Sequence, residues 1–130
     1  MLGSNFSIME KALEGATLKH KLISHNIANV NTPGFKSYYV PFQEQLRQMI
    51  NQPKLGLKIT SPKHIHNSGM KYIVKQTPGD TIGARVDGNN VDIDHENAEM
   101  AKNAIYYNLV INQINKQIAI MKYVDSEGRR

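Results

Sequence analysis

The sequence predicts a mainly α fold in which long helices at the two ends pair as an antiparallel coiled-coil hairpin, with a small loop-rich, β-containing segment between them. Phe6, Met9, Leu13, Ala16, His20, Ile23, Ile27 and Val30 recur at alternating steps of three and four, which places them on one seam of a helix. Met100, Ala104, Tyr107, Ile111, Ile114, Ile118 and Met121 repeat that spacing near the other end. The middle lacks this period and is broken by Ser61-Pro62 and Pro78-Gly79. The chain therefore divides into residues 1–35, the first helix and its turn; 36–90, an outgrowth; and 91–130, the returning helix.

The first helix is expected to start near Asn5 or Ser7, either of which can cap it, and to run to about Asn29. Asn29 and Asn31 tolerate the left-handed conformation that closes a helix, and Pro33-Gly34 suits the two central positions of a type II turn. Phe35 then restarts an apolar contact. After Pro41, the spacing of Phe42, Leu46, Met49 and Ile50 predicts a short amphipathic helix over 42–50. Leu55, Leu57 and Ile59 alternate with Gly56 and Lys58 in strand fashion, and Tyr72-Ile73-Val74 is a second β-favouring run. Asp87-Gly88-Asn89-Asn90 is a turn signal, and Val91-Asp92-Ile93-Asp94 reads as an extended lead into the last helix. Asp94 is the expected N-cap, with Glu96 and Glu99 near the positive end of the dipole. That helix is expected over 95–124, nearly matched in length to the first.

From Asn103 to Asn115 the last helix carries no charged residue, and its apolar residues spread over more than one face. A helix packed on one side only shows charge on the other. The pattern asks for cover all round, which a two-helix hairpin cannot supply, so other subunits are expected to provide it.

At 130 residues and 14.7 kDa the chain is expected to be one domain, or one domain with a small appendage, long enough for a core. Its mean hydropathy of −0.47 and 40% hydrophobic content are those of an ordinary soluble chain, and no apolar run approaches the ~20 residues that span a bilayer. Met1 to Phe6 has neither a basic n-region nor a continuous apolar stretch, so no cleavable secretory signal is expected. The absence of cysteine excludes disulfides, thiolate metal sites and thiol nucleophiles. The net charge of +5 is uneven: residues 36–85 hold eight Lys/Arg against two acids, and residues 86–130 hold five against seven.

The run Asn26-Ile27-Ala28-Asn29-Val30-Asn31-Thr32-Pro33-Gly34-Phe35-Lys36 resembles the signature near the N-terminus of the axial proteins of the bacterial flagellum, the rod, hook and hook-associated subunits. The short length and the run Asp87-Gly88-Asn89-Asn90-Val91-Asp92-Ile93-Asp94, leading into Glu96, Ala98 and Met100, narrow the resemblance to the subunits of the proximal rod. The resemblance implies that the paired helices form the inner tube of a helical assembly that transmits torque around an export channel, with the middle segment outside. Phe6, Met9, Leu13, Ile23, Ile27, Met100, Tyr107, Ile111, Ile114, Ile118 and Met121 would then serve the assembly interface. It further implies export through the flagellar type III apparatus, residence in the basal body outside the cytoplasmic membrane, and other rod proteins, adaptor and membrane-ring components as partners. The charged ending Asp125-Ser126-Glu127-Gly128-Arg129-Arg130 departs from the small, Gly-rich ending of that family.

Other chemistries have less support. The Asp-rich run from Asp87 to Glu96 lacks any register with calcium ligands at positions 1, 3, 5 and 12 and Gly at 6. His64 and His66 would share a strand face but have no evident third ligand, so no metal is expected. His20 falls on the seam, where a polar residue fixes register. Lys54, Lys58, Lys63, Lys71 and Lys75 keep open an alternative, a basic helical-hairpin adaptor for nucleic acid or another anionic partner. No helix-turn-helix, zinc or RNP pattern accompanies them, so a basic solvated or partner-facing surface is preferred. No nucleophile elbow, phosphate loop, Gly-x-Gly-x-x-Gly or HExxH occurs. The chain reads as a non-enzyme with no cofactor and no small-molecule substrate.

Overall fold

The computed structural model describes residues 2–51, 72–78 and 85–127. Helix α1 spans Leu2–Ala28, beginning earlier than the caps at Asn5 and Ser7 suggested. Thr17 and Ser24, poor helix formers, are accommodated because their hydroxyls donate back to the carbonyls of Leu13 at 2.9 Å and His20 at 3.0 Å. Strand β1 (Tyr38–Tyr39) leads through Pro41 into helix α2 (Phe42–Asn51), and strand β2 (Lys75–Gln76) returns antiparallel to β1, pairing Tyr38 with Gln76 and Tyr39 with Lys75. The expected run at Tyr72-Ile73-Val74 is thus not itself the strand, which forms just after it. The alternating Leu55, Leu57 and Ile59 lie outside the described residues. Helix α3 spans Ile93–Glu127.

The terminal helices are not matched: α1 has 27 residues and α3 has 35, about 40 Å and 52 Å at the usual rise. Three contacts set their antiparallel register. Asn103 Nδ2 donates to Ala16 O at 2.9 Å, Lys19 Nζ to Glu99 Oε2 at 2.7 Å, and Asn26 Nδ2 to Glu96 Oε1 at 2.9 Å. Carried back to Leu2, that register ends near Gln117. Residues 118–127 of α3 consequently project past α1.

The packing faces differ from the heptad seams. On α1 the buried row is Ala12, Ala16, Ile23 and Asn26, in which Ala12 and Ala16 are small enough to let the backbones approach. Ala16 and Ile23 belong to the predicted seam, and Met9, Leu13, Ile27 and Val30 are half-buried, but Phe6 is 40% exposed and His20 is exposed. His20 therefore does not fix register. On α3 the buried residues are Glu96 and Asn103, and Tyr106 and Val110 pack on the core, so the contact row lies one residue before Ala104, Tyr107 and Ile111. Met100, Ile111, Ile114 and Ile118 are half-buried, Ala104 is exposed, and Tyr107 and Met121 are 37% and 38% exposed. Within that row Tyr106 reaches Phe42 at the start of α2.

The core that joins α2 to the hairpin is built on Ala12, Val40, Phe42 and Tyr72, with Leu18, Leu22, Leu46, Tyr106 and Val110 against it. Phe42 meets Tyr106 edge-on at 5.2 Å and Tyr72 at 5.6 Å. Gly15 makes room for this: a Cβ there would lie 2.3 Å from Phe42 Cε2 and 2.6 Å from Tyr72 Cζ. The Gln45 amide then pairs with the backbone of Ile73, donating to its carbonyl at 2.9 Å and accepting its N–H at 2.7 Å. Tyr72 donates its hydroxyl to Lys11 O at 2.7 Å. The chain leading into β2 is thereby tied to both helices.

Candidate functional site at the junction of the two motifs

The two sequence motifs, some 60 residues apart in the chain, fold onto each other at one end of the hairpin. The first leaves α1 through consecutive turns. Thr32 N–H bonds Asn29 O at 3.0 Å, and Phe35 N–H bonds Thr32 O at 3.2 Å with Gly34 at φ 70°, which is the geometry expected of Pro33-Gly34 in a type II turn. A Cβ at Gly34 would meet nothing within 4 Å, so its backbone angle, and not close packing, is what requires glycine. No described non-glycine residue has positive φ. Asn29 and Asn31 thus do not close the helix in the left-handed conformation; instead Asn29 Nδ2 reaches back to His25 O at 2.8 Å.

The second motif supplies the remaining closure. Asn89 is fully buried, and its Nδ2 lies 2.9–3.0 Å from the carbonyl oxygens of Asn29, Val30 and Thr32, while its Oδ1 accepts Val91 N–H at 2.8 Å. One side chain thereby supplies the donor for Val30 O and adds a second to Asn29 O and Thr32 O, which already accept backbone N–H groups within the turns. Gly88, at φ 78°, completes the tight turn that presents Asn89, with its N–H on Arg85 O at 2.8 Å. The segments are zipped further by Gly34 N–H to Asp87 O at 2.8 Å, Lys36 Nζ to Gly88 O at 2.6 Å and Ser37 N–H to Asn90 Oδ1 at 2.8 Å. Val91 is buried beside them, whereas Ala28, Thr32 and Pro33 are exposed.

Asp92, not Asp94, caps α3: its Oδ1 accepts the N–H groups of Asp94 at 2.9 Å and His95 at 3.3 Å, and its carbonyl accepts Glu96 N–H. The expected extended lead is correspondingly shorter, with Ile93 already helical. Asn26, 1% exposed, binds Tyr38 through both backbone groups and also donates to Glu96 Oε1 at 2.9 Å. It holds α1, β1 and α3 together.

The charges at this end are held differently. Burial pushes the Glu96 carboxyl above its ordinary range, against the Asn26 hydrogen bond that favours its ionised form. Glu99 is pulled down to about 2 by hydrogen bonds from Lys102 and Lys19, both at 2.7 Å. A lowered carboxyl contributes stability that is complete above its unfolded value and lost as pH falls through the folded one, so the Glu99 contribution fades between about 4.5 and about 2, whereas Glu96 has the opposite sign. Between the β1–β2 pair and the starts of the helical contacts lies a groove of about 490 Å³, lined by Lys19, Leu22, Ile23, Tyr38, Pro78 and Glu96 among others.

Several participants carry no conspicuous sequence signal. His25 stacks edge-on to Phe35 at 5.5 Å, and Tyr38, Gln45 and Asn103 act through backbone contacts that periodicity does not reveal. Gly15 did leave one, as a glycine inside a helical pattern. Among the described residues no group of three or more His, Asp or Glu is placed to hold a metal ion, and no helix is long and apolar enough to cross a membrane. His64, His66, Lys54, Lys58, Lys63 and Lys71 lie outside the described residues, and Lys75 is exposed in β2.

Residues 11–36, which contain the first motif, match the family described as flagella basal body rod protein. Over nearly its whole length the chain is also similar to characterised relatives. It is 33% identical over 122 residues to the flagellar basal body rod protein FlgB of Buchnera aphidicola, covering 92% of each chain. It is 34% identical over 123 residues to FlgB of Bacillus subtilis, covering 93% of this chain and 92% of that one. With FlgB of Escherichia coli the identity is 24% over 139 residues, covering 98% and 96%.

Proposed function

The chain belongs to the family of flagellar basal body rod proteins, FlgB, and from that membership we propose that it is a structural subunit of the proximal rod, polymerising helically to transmit torque around the export channel. The family is one of structural proteins, not of enzymes. On this reading residues 1–35 and 91–130 form the inner tube and residues 36–90 the outer surface. Other rod proteins, adaptor and membrane-ring components and the flagellar type III export apparatus are the partners, outside the cytoplasmic membrane.

The observation that supports polymerisation most is the outer face of α3. Ile105 is 63% exposed, Leu109 62%, Ile120 51% and Tyr123 61%, at helical spacings that align them on one stripe turned away from α1. The uncharged stretch expected to need cover all round has, within the chain, only Asn103 buried. A helix apolar on two faces and packed on one suits a subunit whose neighbours cover the other. Phe6, Tyr107 and Met121, expected at the interface, are likewise left partly open.

Substitution at the stripe tests the proposal. Leu109→Asp and Ile105→Asp alter exposed positions, so the unfolding free energy of the free chain should change by no more than about 0.5 kcal/mol, while incorporation into basal bodies and motility are lost. Normal motility of strains carrying either substitution would overturn the proposal.

A further inference from the structure

The groove at the junction end points to the way copies join, an inference that rests on the subunit role proposed above. Three of its lining residues, Asp92, Glu96 and Glu99, are carboxylates, against the basic residues Lys19 and His95, neither of which is hydrogen-bonded to Glu96. That lysine is already bonded to Glu99, and the Asp92 carboxylate faces helix amides. Glu96 differs from both. It is 8% exposed, and its hydrogen bond comes from the neutral amide of Asn26, with no cation bonded to it among the described residues. A buried carboxylate held this way is costly, and an added cation recovers part of that cost. The walls beside it are apolar, from Leu22, Ile23, Tyr38 and Pro78. The groove therefore fits a cation followed by apolar side chains on one helical face.

The chain displays such a face at its opposite end. Lys116, Ile120 and Tyr123 stand at i, i+4 and i+7 on α3, all exposed, the first opposite the start of α1 and the other two where the helix runs out past it. We infer that the projecting end of α3 from a second copy seats in the groove, with Lys116 toward Glu96 and with Ile120 and Tyr123 against Leu22, Tyr38 and Pro78. The contact uses two different patches at opposite ends of the hairpin. It is heterologous, and repetition builds an open series of copies and not a closed dimer.

The natural absence of cysteine makes the contact directly testable in assembled basal bodies. A chain carrying Thr77→Cys and Tyr123→Cys, treated with a short bismaleimide, should give a ladder of cross-linked multimers in basal bodies and none in dilute solution. Lys116→Glu should cut incorporation at least tenfold with an unchanged melting temperature of the free chain, and Lys116→Arg should incorporate normally. Motile cells whose rods contain the chain, yet show no ladder and accept Lys116→Glu, would overturn the contact and leave the subunit role standing. Absence of the unsubstituted chain from basal bodies would remove both.

Discussion

At the scale of single residues, the junction depends on side-chain amides that stand in for backbone. Asn89 binds three turn carbonyls, of which Val30 O has no other donor among the described residues. Asn26 does the same for both backbone groups of Tyr38. Asn89→Ala leaves Val30 O and Val91 N–H unpaired and should cost roughly 3 kcal/mol in urea unfolding, since each buried unpaired group costs about 1–3 kcal/mol before relaxation. Asn89→Asp, although nearly isosteric, should cost at least as much, because it turns an oxygen toward three carbonyl oxygens. If Asn89→Asp proved harmless, the clamp would not be what joins the motifs. Both motifs were legible as strings of turn residues, and Gly34 could be assigned its positive φ from Pro33-Gly34 alone. That they bind each other was not legible, since an asparagine's long-range partners leave no local period.

At the scale of elements, the helices were legible by period and their faces were not. The heptad reading found the terminal helices, and it placed the contact row of α3 one residue late, since Asn103, Tyr106 and Val110 and not Ala104, Tyr107 and Ile111 meet the core. In the structure α1 presents Ala12, Gly15 and Ala16 where α2 and α3 converge, so small residues set the approach. Gly15 shows how packing overrides propensity: alanine there would favour the helix by about 1 kcal/mol. Its Cβ would instead fall 2.3 Å from Phe42. Gly15→Ala should therefore lower stability by about 1–3 kcal/mol through overpacking, seen as a drop in melting temperature. Adding Phe42→Leu should recover part of the loss, as coupled neighbours do. A stabilised Gly15→Ala chain would mean that α2 does not dock as described.

At the scale of the whole molecule, the hairpin is anchored at one end and bare at the other. Hydrogen-bonded contacts between α1 and α3 run from Asn103–Ala16 to Glu96–Asn26, while the far end of α3 carries exposed Ile120, Tyr123 and Val124. So few large buried side chains offset little of the entropy of ordering such long helices. The free chain should be most stable at the junction and least stable toward the projecting end, and assembly should supply the missing burial. Amide hydrogen exchange, compared between the free chain and assembled rods, measures this directly. In the free chain residues 16–26 and 96–106 should hold the slowest amides, with 115–127 exchanging fast; in rods, residues 105–124 should slow at least a hundredfold. Strong protection across Ile105 to Val124 in the free chain, unchanged on assembly, would contradict the account, because the outer face of α3 would then need no neighbour.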